Sequence, residues 1–143
     1  MIKDDLSLKG RLTIAVNGQT VREVPNLVVT TGKEFVASRM AGVSSSEMSH
    51  MAIGTSSTAA AAGDTALGSE VARVALSSTT VTGADVVYVA TFAAGTPATS
   101  AAVVEAAIFN GSTGGDMLCR TTFPVVNKGT NDSITITWTV TVS

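Results

Sequence analysis

Asp132-Ser-Ile-Thr-Ile-Thr-Trp-Thr-Val-Thr-Val-Ser143 alternates without a break between large apolar and hydroxyl side chains. A period of two is that of a half-buried β-strand. Ile134, Ile136, Trp138, Val140 and Val142 then share one face and Thr135, Thr137, Thr139 and Thr141 the other, because successive Cβ atoms point to opposite sides of a sheet. The apolar row reads as core, with Trp138 as its anchor. Exposed strands are normally guarded by Lys or Glu against edge-to-edge association. A row of uncharged hydroxyls therefore makes Thr135, Thr137, Thr139 and Thr141 candidate interface residues, covered by a neighbouring strand or another subunit.

The rest of the chain carries the same strand rhythm. Leu6, Leu8, Leu12, Ile14 and Val16 fall at spacings of two or four, and Asn17-Gly18 supplies the left-handed pair of a type I′ turn, so a hairpin is expected. Its return strand holds Val21, Val24 and Leu27, with Pro25 at a bulge or an edge, since proline cannot donate to a ladder. Further strands are expected at His50–Ile53, Val71–Thr82, Asp85–Ala93, Ala102–Phe109 and Met117–Val126. The Asp85–Ala93 run has apolar residues on both faces, as a central strand would.

One helix is expected, near residues 31–41. Thr31-Gly-Lys-Glu34 has capping-box spacing, Phe35, Val36, Arg39 and Met40 follow helical spacing, and Gly42 stands at C′. The segment Gly54-Thr-Ser-Ser-Thr-Ala-Ala-Ala-Ala-Gly63 is too small and polar for core and reads as a surface loop. The fold class is all-β: a single-domain antiparallel β-sandwich over residues 1–143, jelly-roll-like, with that one short helix.

Composition points towards assembly. A 143-residue domain buries about 68–70% of the surface of its unfolded chain, so neither disulfide nor metal is needed. Charged residues are 14% of the chain, against about 25% in ordinary soluble domains, and such a surface is more comfortable against copies of itself or a partner. A net charge of −2 without any Lys/Arg run offers no footprint for nucleic acid or an anionic membrane. No apolar run approaches the roughly 20 residues that span a bilayer, and Met1-Ile-Lys-Asp-Asp-Leu6 is not followed by the apolar stretch of a signal peptide. The lone Cys119 reads as a small buried thiol.

Catalytic chemistry is hard to assemble from these residues. His50 is the single histidine, which leaves no second imidazole for a zinc site, and no nucleophile elbow accompanies it. Gly111-Ser-Thr-Gly-Gly-Asp116 lacks the Gly-Lys-Ser/Thr ending of a phosphate-binding loop and reads as a hairpin connection. Asp64 and Glu70 flank Leu67-Gly68 but match no calcium-loop spacing and read as caps. Neither a metal nor a cofactor is expected. Glu105, Arg73 and Arg120 stand inside apolar strand runs. A carboxylate in such a place must be paired or protonated, so Glu105 is expected to form a structural ion pair with Arg73 or Arg120.

Asn26-Leu-Val-Val-Thr-Thr-Gly-Lys-Glu-Phe-Val-Ala-Ser-Arg-Met40 and Met51-Ala-Ile-Gly-Thr-Ser-Ser-Thr-Ala-Ala-Ala-Ala-Gly-Asp-Thr-Ala-Leu-Gly-Ser-Glu-Val-Ala-Arg73 resemble a small structural protein of tailed-bacteriophage virions. Glu105-Ala-Ala-Ile-Phe-Asn110, the glycine loop, Met117-Leu-Cys-Arg120 and the closing strand are similar to the Glu-x-Gly-hydrophobic-Phe pattern of phage tail-fibre and collar-type domains, with Ala107 where glycine is usual. The resemblance implies a non-enzymatic virion protein on the particle exterior, made in the host bacterial cytoplasm. Its implied partners are copies of itself, as a trimer, and other virion proteins such as the major capsid protein or tail proteins. Without heptads, collagen repeat or β-helix repeat to build a shaft, capsid decoration or cementing is favoured over a tail-fibre, collar or baseplate role in host attachment. A carbohydrate-binding module would need exposed aromatic platforms. Aromatics are only 4% of the chain, which disfavours it.

Overall fold

Asn17 and Gly18 take φ values of 50° and 84°, the left-handed pair that matches the twist of a hairpin. They join β1 (Leu8–Val16) to β2 (Gln19–Val28). A computed structural model describes residues 6–43 and 46–143. Beyond the hairpin lie α1 (Thr30–Met40), β3 (His50–Gly54), β4 (Glu70–Ala75), β5 (Ser78–Thr82), β6 (Asp85–Phe92), β7 (Ala101–Phe109), β8 (Met117–Lys128) and β9 (Ile134–Val142). The fold is all-β and antiparallel with one short helix, as expected from the alternation.

The strands form one nine-stranded sheet in the order β4-β3-β7-β8-β2-β1-β9-β6-β5. It is a single curled sheet where a jelly-roll-like sandwich of two layers was expected, and β2 is the strand that joins its two halves. Gln19–Asn26 pair with β1, whereas Leu27 and Val28 pair with Arg120 and Cys119 of β8. Pro25 stands just before that change of partner and carries no N–H for a strand on its open side. Its carbonyl instead accepts from Thr121 Oγ1 at 2.8 Å. β4 and β6, from opposite halves, come into contact as the sheet curls.

The curl encloses the core. Leu12, Ile14, Phe92, Ile134, Ile136 and Trp138 from one half meet Met51, Ile53, Val103, Ile108 and Phe123 from the other. Trp138 is fully buried, flanked by Leu12 on β1 and Tyr88 on β6, as its place in the closing alternation requires.

Three local expectations are corrected by the structure. The run Val71–Thr82 is two strands, β4 and β5, which lie at opposite ends of the sheet. β6 buries only one face, through Tyr88, Ala90 and Phe92, because its other face joins the hydroxyl side of β9. The runs buried on both faces lie instead in β3 from Met51 to Gly54, β7 from Glu105 to Phe109 and β8 from Met117 to Thr121. The capping box does not form: Val29 is the N-cap of α1 without a side-chain bond, and Thr31 Oγ1 donates instead to the Met117 carbonyl at 3.0 Å.

The helix end follows the sequence. Gly42 has φ of 68°, Val43 N–H donates to the Ser38 carbonyl at 2.9 Å and Gly42 N–H to that of Arg39 at 3.2 Å, a Schellman ending. Gly32 lets α1 lie directly on β8. A Cβ there would run into the backbone of Leu118.

Candidate functional site

β7 carries an irregularity between Val103 and Glu105. Between the Val103–Val126 and Glu105–Thr122 pairs β7 advances two residues and β8 four, and the regular alternation of faces is broken there. Val103 and Ala106 therefore both face the main core, and Glu105 faces the opposite side of the sheet. That outer side is covered by the segment between β3 and β4, expected to be a plain surface loop. Leu67 from this segment joins Val29, Ala52, Ala107, Phe109 and Met117 in a second apolar cluster, so the segment is a lid over β7 and β8.

Under the lid, Glu105 is fully buried and its carboxylate is saturated with donors. Oε2 accepts from the Ser56 amide at 3.0 Å and the Ser69 amide at 2.8 Å. Oε1 accepts from the Gly68 amide at 2.9 Å, and from Arg120 Nε at 3.3 Å and Nη2 at 3.0 Å. Burial alone would raise the carboxyl's pKa. The amides of Ser56, Ser69 and Gly68, helped by Arg120, outweigh it and hold the group below the ordinary glutamate value. Close approach is possible because Gly54 has no Cβ, which would strike the Glu105 carboxylate and the Ser69 carbonyl.

Arg120 completes the clamp. Its Nη1 donates to Asp64 Oδ2 at 2.8 Å and its Nη2 also to the Thr58 carbonyl at 2.7 Å. Asp64 in turn accepts from the Ala61 amide at 2.8 Å, closing a turn as a capping residue does. The carboxylate–guanidinium–carboxylate row thus ties the lid to the sheet. The three amides that bind Glu105, and Asp64 as the second carboxylate on Arg120, were invisible in the sequence. The only signal was a small-residue segment of Gly, Ser and Thr, the type that allows backbone amides to crowd an anion.

Of the two arginines expected beside Glu105, Arg120 is its partner and Arg73 is not. Arg73 lies two strands away on β4, with its guanidinium 3.7 Å from the centroid of the Phe109 ring. It forms an ion pair with Glu70 at 2.7 Å and donates to the carbonyls of Gly111 at 3.0 Å and Gly114 at 2.8 Å. The glycine loop between β7 and β8 is the hairpin connection expected, held from the side by Arg73. Asp64 and Glu70 are each engaged by a different arginine, and no group of three acidic, His or Cys residues among those described could hold a metal ion.

Cys119 and His50 keep their plain readings. The thiol is buried against the core, which pushes its pKa upward. His50 begins β3, half-buried, with Nδ1 2.8 Å from Ser49 Oγ.

The other candidate surface is the threonine side of β9. Thr135, Thr137, Thr139 and Thr141 are half-buried between the rows of β1 and β6. Register places Lys9, Arg11, Thr13 and Ala15 of β1 and Asp85, Val87, Val89 and Thr91 of β6 on the same face, and β5 extends it with Ser78, Thr80 and Thr82. Thr91 and Thr135 are hydrogen-bonded at 3.1 Å across the strands. Charge enters this face from β1, where Arg11 stands directly opposite Thr139 and Lys9 opposite Thr141. Arg11 and Glu23 pair loosely at 3.7 Å on the β1–β2 side, and Asp85 accepts from Thr141 Oγ1 at 2.6 Å at one end.

Among the described residues no helix is long and apolar enough to cross a membrane. Compared with known proteins, the chain matches no family model, no curated protein and no solved structure.

Proposed function

We propose that this chain is a non-enzymatic structural subunit of a tailed-phage virion, an exterior module that associates with copies of itself and decorates or cements the capsid. The observation that carries the reading is the hydroxyl-rich face of β9, β6 and β5, on which Asp85 at one end of β6 is the one charged residue and Lys9 and Arg11 flank it from β1. The threonine, serine and valine of β5, β6 and β9 away from those residues can be covered by a protein neighbour without burying a charge, and each hydroxyl can donate or accept across the contact. A long-lived lattice contact asks for that combination. A catalytic surface asks for the reverse, a titratable group with a free lone pair or proton. Glu105, the most unusual carboxylate here, has its oxygens occupied by the amides of Ser56, Gly68 and Ser69 and by Arg120. It stabilises the lid and has nothing left to offer a substrate.

A tail-fibre, collar or baseplate role is the second reading, favoured by the Glu105–Phe109 pattern on β7 and its similarity to fibre-associated domains. The hydroxyl-rich face serves either address. Replacing Thr137 and Thr139 together with lysine tests the common element. The double variant should fold and fail to join particles lacking the native protein, because two unpaired charges would have to be desolvated at the contact. Normal incorporation would mean that the face is open to water in the assembly and would remove the basis of the proposal.

A further inference from the structure

The curled sheet ends at two edge strands, and the change of partner along β2 opens two more free edges, on β8 beyond Arg120 and on β2 before Leu27. Edge strands expose unpaired backbone groups and are ordinarily blocked by charge, proline or a covering side chain. Three of these four are blocked. On β8, Pro124 interrupts the donors, and Arg22 lays its guanidinium on the carbonyls of Pro124 at 3.2 Å and Val125 at 2.9 Å. On β2, Pro25 stands at the change of partner. β4 carries Glu70 and Arg73, locked in their ion pair at 2.7 Å.

β5 has none of these devices. Ser78-Thr-Thr-Val-Thr82 holds no charge and no proline, every residue in it is exposed, and Val81 is 70% exposed. It pairs with β6 alone. Among the described residues no hydrogen bond reaches its outer side, where alternate residues present an N–H and a C=O to solvent. β-branched residues, which fit a pleated ladder best, make up four of its five positions.

We propose that β5 pairs antiparallel with β5 of a second copy, so that two sheets continue into one across a two-fold axis at Thr80. The choice of partner follows from the absence of charge. In an isologous contact every residue meets the mirror position of the same strand, so a single lysine or glutamate near the axis would face its own copy and be repelled. In this register Thr80 opposes Thr80, Thr79 opposes Val81 and Ser78 opposes Thr82. Such Thr–Thr and Thr–Val cross-strand pairs stabilise a ladder. The inference rests on the reading that the chain associates with copies of itself, and it uses an edge, whereas the particle contact above uses a face.

Sedimentation of the full chain over a range of micromolar concentrations tests it, with three variants. Wild type should associate reversibly. Val81→Lys should weaken association roughly tenfold or more, and Thr79→Pro should do the same by removing an outward-facing N–H, while both retain the melting temperature of the wild-type core. The third variant, Thr80→Cys, should form a disulfide-linked dimer on mild oxidation, since directly opposed strand residues lie at about 4.5–5.5 Å between Cα atoms. A cysteine placed instead at exposed Thr130 should not. Wild type that stays monomeric throughout, with no cross-link through Thr80→Cys, would overturn both the edge pairing and self-association in solution. Association that survives Val81→Lys and Thr79→Pro unchanged would overturn the edge pairing and leave self-association standing on another surface.

Discussion

The outer side of β7 and β8 and the outer side of β9 and β6 belong to one sheet, yet the first is sealed and the second is a half-exposed field of hydroxyls. The sealed side contains a carboxylate and a guanidinium, and taking such groups out of water is tolerable only when every lone pair and proton is met. A lid of backbone amides was therefore required. The hydroxyl side contains nothing that must be enclosed, because threonine is content with water, with a cross-strand partner or with another protein. The difference teaches that the polar groups of this sheet divide by tolerance: those with one acceptable environment are locked internally, and those with several are left at the surface, where assembly can use them.

The sharpest way to break that division is Glu105→Ala. It leaves Arg120 buried with only Asp64 and the Thr58 carbonyl, and should cost about 3–5 kcal/mol, read as a loss of stability in chemical denaturation. A variant that denatures like wild type would mean that the lid is not anchored by this pair. The hydroxyl side should show no comparable sensitivity.

Acid distinguishes the same two regions without a deletion. The Glu105 carboxyl is held below its ordinary value, so its contribution to stability is complete above the unfolded glutamate pKa of about 4.3 and is lost as pH falls through the lowered folded value. Asp132, on the exposed turn before β9, is also lowered, chiefly by Asn17. Comparison with Glu105→Gln therefore isolates the buried group. Wild type should lose melting temperature more steeply than Glu105→Gln as pH is lowered below that value, and parallel curves would count against the clamp.

Gly32→Ala probes how tightly the sealed side is packed. The added methyl meets the Leu118 backbone and should cost about 1–3 kcal/mol by forcing α1 away from β8. Thermal denaturation checks it, and an unchanged melting temperature would show that the helix has room to shift.

The smallest effect on stability is expected where the effect on assembly is greatest. Thr137→Lys with Thr139→Lys should change folding stability by roughly 0.5–1 kcal/mol. Circular dichroism should then show a folded subunit that particle-binding measurements find incompetent.

Much of this architecture was legible in local patterns. The alternation through Trp138 identifies β9 and its buried face, Asn17-Gly18 the hairpin, and Gly42 the end of α1, because each depends on residues that are neighbours in the chain. Glu105 announced itself as a carboxylate in apolar surroundings, and Arg120 was one of two arginines named for it. The lid was not legible. The amides that hold Glu105 come from Ser56, Gly68 and Ser69, at sequence separations of 49, 37 and 36 residues, and backbone donors have no residue type by which to be recognised.

By itself, then, the sequence determined the strand period, the sign of each face, the turns with positive φ and the need for Glu105 to find a partner. The tertiary structure alone decided which arginine that partner would be, that β4 and β5 would part to opposite ends of one sheet, and that β5 would be left as the unblocked edge. The physical reason is one of range. Periodicity and turn chemistry are set within a few residues, whereas ladder order and the donors around a buried charge arise from contacts between distant segments, which compete only once the chain has curled around Trp138 and its core.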